Sequence, residues 1–125
     1  MRAVVQRVRQ ARVRVDDVVV GEIGPGLLVL IGVAKDDGVS DIAYVVSKVP
    51  ELRIFQDGAG KMNLSLADAG GSILAVSQIT LYGDCRNGRR PSFIAAAGAE
   101  FGRTVFDDVV AKWRASGVHV ETGTY

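Results

Sequence analysis

The apolar positions of this chain change period along its length. Arg12-Val13-Arg14-Val15-Asp16 alternates strictly, as a strand with one apolar face does. Upstream, Val4 and Val8 fall on even positions, whereas Ala11, Val13 and Val15 fall on odd ones. That parity shift predicts a bulge or bend near Gln10. Asp16-Asp17 reads as a turn into Val18-Val19-Val20-Gly21-Glu22-Ile23. Gly24-Pro25-Gly26 then turns the chain into a fully buried strand from Leu27 to Val33. The first third is therefore a β meander. Behind Ser40, a good N-cap, Ile42, Val45, Val46 and Val49 recur at helical spacing, and Pro50 should end or kink that helix at about Val49. Leu52–Phe55 reads as a short strand and Met62–Leu66 as a short strand or extended loop, each beside Gly-rich turns. Ile73-Leu74-Ala75-Val76 is a core strand. Phe101, Val105, Val109 and Trp113 lie four apart, with Phe106 and Val110 beside them, which makes Ala99–Ala115 an amphipathic helix stopped by Gly117. Val118–Thr122 is the closing strand.

This order predicts one α+β domain over residues 1–125: a curved, largely antiparallel sheet or barrel, with two main helices packed against it. Composition agrees. Apolar residues make up 48% and aromatics only 6%, so the core is aliphatic. The net charge of +1 supplies no global field for nucleic acid, so any RNA contact must come from a local basic patch. The single cysteine, Cys85, forms no intrachain disulfide, which fits a reducing, cytoplasmic setting. Cysteine and histidine are too few for a protein zinc site. The longest apolar run, Leu27–Ala34, is far shorter than a membrane span. Gly60-Lys61 is not a phosphate loop, because Phe55 stands in place of the first glycine and Met62 in place of the magnesium-binding Ser or Thr. No cofactor motif is present, and none is expected.

Candidate chemistry concentrates after the core strand. Ser77-Gln78-Ile79-Thr80-Leu81-Tyr82 delivers two hydroxyls and an amide side chain to the end of a rigid element, where Gly83-Asp84 turns the chain. The same groups could instead only satisfy turn backbone. The only imidazole, His119, has nothing in the sequence to couple it to Thr80, so no Ser-His-Asp arrangement is available. Arg86, Arg89 and Arg90, followed by Pro91, Ser92 and Phe93, form the best patch for a phosphate backbone with a stacked base. Arg7, between Val5 and Val8, is either an outward arginine with its stem on the sheet or a fork holding a carbonyl or phosphate near the site.

Together these segments resemble the D-aminoacyl-tRNA deacylases. The resemblance runs through Val5-Gln6-Arg7-Val8, Gly24-Pro25-Gly26-Leu27-Leu28-Val29-Leu30, Arg53-Ile54-Phe55, Gly60-Lys61-Met62-Asn63, Gly70-Gly71-Ser72, Ser77-Gln78-Ile79-Thr80-Leu81 and Arg90-Pro91-Ser92-Phe93. Each segment alone is weak; their order and spacing are specific. Ile79 stands where the family usually has Phe. The resemblance implies hydrolysis of the ester that joins a D-amino acid, or glycine, to the terminal ribose of tRNA, in translation quality control. It implies a cytoplasmic homodimer that meets tRNA and no membrane. It also implies a site in which backbone amides around Ile79 and Thr80 hold the oxyanion while Gln78 and Ser77 position adenosine and ribose. In the family a later segment carries an Asn-Asp-Gly-Pro-type motif whose Gly-Pro pair screens chirality across the dimer. This sequence stops at Tyr125, so either it continues further or the variant lacks that filter. In the second case the alternative is a non-catalytic module that binds a tRNA end or a nucleotide.

Overall fold

A computed structural model describes residues 1–125. Its main sheet has four strands. β1 (Arg2–Val8) pairs antiparallel with β4 (Gly26–Gly32), which pairs parallel with β7 (Ser72–Ser77), which pairs parallel with β8 (Val120–Thr122). Between β1 and β4, the hairpin of β2 (Ala11–Val15) and β3 (Val18–Ile23) turns on Asp16 and Asp17, both in the left-handed region at φ 50° and 64°. Two consecutive positive φ angles match the right-handed twist of a two-residue hairpin. The chain breaks at Arg9–Gln10, where the parity shift points.

The α+β class holds, but the sheet is mixed and open, not a largely antiparallel sheet or barrel. The reason lies in the connections. From β4 to β7 the chain passes through α1 (Val39–Glu51), the short pair β5 (Phe55–Gln56) and β6 (Met62–Leu64), and the single turn α2 (Leu66–Ala69). From β7 to β8 it passes through α3 (Ala99–Ala115). Crossovers of this length return the chain to its starting end and make the next strand parallel.

Local readings change as well. The first third is not a meander, because β1 pairs with β4 and β2–β3 form a separate hairpin, and the strand read at Leu52–Phe55 is only Phe55–Gln56. The N-cap of α1 is Gly38, not Ser40, because the Asp41 carboxylate reaches back to accept the Gly38 N–H at 2.8 Å. Helix α1 runs on through Pro50 to Glu51. Pro50 has no N–H for the carbonyl of Val46, and the indole Nε1–H of Trp113 takes that carbonyl instead, at 3.0 Å. The α2 turn, capped by the Ser65 hydroxyl on the Asp68 N–H, carries no periodicity long enough to be read from sequence.

The core forms on one face of the sheet. Leu27, Val29 and Ile31 alternate inward on β4, and Ile73 and Ala75 do so on β7. Val105, Phe106, Val109, Val110 and Trp113 of α3 and Val45 and Val49 of α1 cover them. Each such buried aliphatic side chain contributes roughly 1.5–3 kcal/mol relative to exposure. The hairpin folds over the opposite face, close enough that a Cβ on Gly21 would collide with the Thr122 carbonyl. Gly117 closes α3 at φ 94°, as a C′ glycine does.

Candidate active site

Strand β7 ends at Ser77, and the chain does not continue extended. Gln78, extended at φ −143°, donates its N–H to the Ile31 carbonyl at 2.8 Å, and Ile79–Tyr82 then forms a single 3-10 turn. The turn closes through Leu81 N–H to Gln78 O at 3.3 Å and Gly83 N–H to Thr80 O at 3.0 Å. The first amides of such a turn have no partner inside it, which leaves the N–H groups of Ile79 and Thr80 available. Both residues are exposed: burial falls off along the chain from the enclosed Ile73–Ala75 of β7, through half-buried Val76–Gln78, to the turn. The strand therefore leads into an exposed turn whose first two amides are not used by the turn itself.

Beside them is a cavity of about 320 Å³, whose lining includes Ser77, Ile79, Ala97, Gly98, Phe106 and Tyr125. It lies between the end of β7 and the start of α3, and most of its lining is apolar. Within the turn, the Gln78 side-chain amide donates to the Thr80 hydroxyl. A neutral amide is no base, whichever way it points, so the geometry does not activate Thr80 as a nucleophile. His119 offers no alternative. Its carbonyl bonds the Ile73 N–H at the opposite end of β7, about 13 Å from Ser77 at ordinary strand rise. Its imidazole is exposed and pairs with Glu121 at 3.2 Å.

The second candidate segment returns to the turn. Asp84 and Ser92 exchange backbone hydrogen bonds of 2.8 Å each, making a small hairpin with Gly88, at φ 75°, near its tip. Pro91 and Phe93 lie against Gly83. Pro91 and Phe93 thus stand at the end of the turn, by Gly83 and the Thr80 carbonyl. Arg86 does not project freely, because its guanidinium lies along the Asp84 carboxylate, with Nη2 to Oδ2 at 2.6 Å. Those side-chain bonds and the Arg86 backbone N–H hold the Asp84 pKa down, at about 2. Arg89 and Arg90 are exposed and make no ion pair.

Arg7 is placed elsewhere in the chain. Its Nη1 donates to the Ile54 carbonyl at 2.7 Å, at the far end of β1. That end is about 17 Å from Arg2 at ordinary strand rise. Arg2 is the arginine that reaches the turn, donating to the Leu81 carbonyl at 2.8 Å and lying over the Tyr82 ring. Nothing local in the sequence marks it; only the strand register brings it there. Burial pushes the Tyr82 phenol above its ordinary pKa, the Asp37 charge adds to the rise, and Arg2 opposes it.

The sequence pattern of the family described as D-Tyr-tRNA(Tyr) deacylase matches residues 4–125. A D-aminoacyl-tRNA deacylase of Desulfitobacterium hafniense (strain DSM 10664 / DCB-2) is 57% identical over all of this chain and 84% of its own length. One of Fervidobacterium nodosum (strain ATCC 35602 / DSM 5306 / Rt17-B1) is 53% identical with the same coverage. A solved structure described as c-Myc DNA Unwinding Element Binding Protein superposes with a TM-score of 0.94 at 32% identity, over 100% of this chain and 85% of that one. A probable eukaryotic D-amino acid tRNA deacylase, at 20% identity and a TM-score of 0.81 over 98% of this chain and 87% of its own, shares the fold. With a family match over nearly its whole length, and relatives more than half identical to it, this chain belongs to the D-aminoacyl-tRNA deacylase family.

Proposed function

We propose that D-aminoacyl-tRNA deacylation, the activity of the family, is carried in this chain by the backbone of the Gln78–Tyr82 turn and not by a reactive side chain. The observation that carries this reading is the exposed 3-10 turn beside the cavity, whose first amides, those of Ile79 and Thr80, have no partner within the turn, together with a Thr80 hydroxyl bonded to the Gln78 amide and not to a base. The amides are the donors for the oxyanion that forms when the ester carbonyl is attacked. Water is the nucleophile, and the 2′-hydroxyl of the terminal ribose handles its proton. Ser77 and Gln78 position ribose and adenosine. Arg89 and Arg90 of the 84–92 hairpin, with Pro91, Ser92 and Phe93, meet the RNA end, the arginines as phosphate contacts and Phe93 as a stacking surface. Arg7 belongs to this reading only as a holder of the Ile54 carbonyl, unless a second subunit brings substrate to that end of β1.

A site built of main-chain atoms accounts for chirality without reading the side chain. A D-side chain points away from the backbone, an L-side chain collides with it, and glycine passes. The enzyme is proposed to be a cytoplasmic homodimer. No helix of the structure is long and apolar enough to cross a membrane. Light scattering should return twice the 13.3 kDa chain mass; a monomer that remains fully active would contradict the dimer.

The test is Thr80→Ala assayed on D- and L-aminoacyl-tRNA. The backbone donor survives this change, so the D-specific rate should fall less than the hundred- to thousandfold typical of one lost oxyanion donor, by about tenfold at most. Abolished hydrolysis with tRNA binding intact would assign the chemistry to the Thr80 hydroxyl.

A further inference from the structure

We infer that Arg2 is a positioning residue for deacylation, acting as a strap across the 3-10 turn that carries the donors. The inference rests on the backbone-donor reading of that turn. Three observations carry it. First, the turn makes few bonds of its own, and the one closing it at its start, Leu81 N–H to Gln78 O, is long at 3.3 Å. Secondly, the carbonyl of Leu81, at the end of the turn where no further intrahelical donor follows, accepts Nη1 of Arg2 at 2.8 Å across 79 residues of sequence. Thirdly, the same guanidinium lies over the Tyr82 ring, 4.4 Å from its centroid. One planar group thus fixes a carbonyl and a neighbouring ring together, which a guanidinium does and a compact ammonium does poorly.

The register explains why position 2 can do this. Arg2 pairs across the sheet with Gly32. Gly32 lies directly beneath the turn: a Cβ there would come within 3.0 Å of the Leu81 Cβ and 3.1 Å of the Gln78 carbonyl oxygen. Gly32 therefore supplies the floor on which the turn rests, and Arg2, next to it on the neighbouring strand, crosses over the end. The peptide planes of residues 79 and 80 are held between the Gln78–Ile31 bond at one end and Arg2 at the other. Arg2 touches neither donor. It sets where they point.

The experiment compares wild type with Arg2→Ala and Arg2→Lys in single-turnover and steady-state deacylation of D-aminoacyl-tRNA, and measures backbone amide exchange by NMR on the free proteins. Arg2→Ala should lower kcat roughly ten- to a hundredfold, as misplaced catalytic groups do, with KM changed less than about threefold. Arg2→Lys should recover part of that loss. Exchange of the Leu81 amide, which depends on turn closure, should speed up by about tenfold in Arg2→Ala, while amides of β4 stay protected. A raised KM with unchanged kcat would make Arg2 a phosphate contact and overturn the proposal. Unchanged Leu81 exchange would overturn it as well. The exchange measurement involves no chemistry, so it judges the strap even if Thr80→Ala shows the backbone-donor reading to be wrong.

Discussion

Two adjoining parts of this molecule are held in opposite ways. The layer of α3 on β4 and β7 is held by burial: Trp113, Leu27, Ile31, Ile73 and Val109 are fully enclosed. The segment from Gln78 to Phe93 contains no fully buried side chain and keeps its shape through a few directed bonds. Gln78 N–H to Ile31 and Arg2 to Leu81 tie it to the sheet, and the turn's own bonds, the Asp84–Ser92 pair and Arg86 on Asp84 hold it within itself. Burial is non-directional and sums over many atoms, so it gives stability without fixing any one peptide plane. Directed bonds contribute little each but set orientation, which a site made of amides requires. The division teaches that stability and activity should separate under mutation.

The sharpest way to show it is Trp113→Ala. This side chain is wholly buried, and its indole N–H supplies the bond that Pro50 cannot give to Val46. Loss of a buried Trp costs about 3–5 kcal/mol, seen as a lower midpoint in urea unfolding. The folded fraction should keep its deacylation rate, since Trp113 packs in the core against α1 and lines no part of the cavity beside the turn. A rate loss as large as the stability loss would erase the distinction between the two parts.

Gly32→Ala tests where the two parts meet. The new methyl would stand 3.0–3.3 Å from Leu81, the Gln78 carbonyl and Tyr82. Such overpacking costs about 1–3 kcal/mol, less than Trp113→Ala. Yet it displaces the turn itself, so kcat should fall by about tenfold or more. Activity and stability should therefore rank these two variants in opposite order. If Gly32→Ala leaves kcat unchanged while lowering stability, the turn is not rigidly seated on β4.

The same division decides what was legible in the sequence. Elements held by burial announce themselves through period: helix Ala99–Ala115 follows from Val105, Val109 and Trp113, although Phe101 on the same stripe is exposed, and the buried strand from Leu27 onward follows from its apolar run. The sheet's parallel pairings did not follow, because pairing is set by the connections between strands and not by any one strand's pattern. Pro50 inside α1 was unreadable for a similar reason: the donor that makes it tolerable sits on another helix. At the site, Ser77–Thr80 was found as a motif, but Ile79–Tyr82 was read as the end of a strand and is a 3-10 turn. Arg2 and Gly32 carry no local signal. They matter only because register sets them opposite each other beneath that turn.

The smallest expected effect tests whether the hairpin beside the site is held by its own directed bonds. Asp84 titrates at about 2, below its usual 3.8, because the Arg86 side chain and backbone N–H bond its charged form. A carboxylate whose folded pKa is depressed adds its stabilisation above the ordinary carboxylate range and loses it as pH falls through the folded value. The pair should thus hold the hairpin fully above about pH 4 and release it progressively towards pH 2, while the buried core, which contains no charged side chain, stays intact at the upper end of that window. NMR titration of the Asp84 carboxyl carbon checks this directly. Arg86→Ala removes the largest cause and should raise that midpoint towards 3.8 without moving the urea midpoint at neutral pH. Both groups are exposed, and an exposed pair contributes little to global stability. If the Asp84 midpoint stays near 2 in Arg86→Ala, the carboxylate is held by groups other than its arginine, and the hairpin's shape has another source.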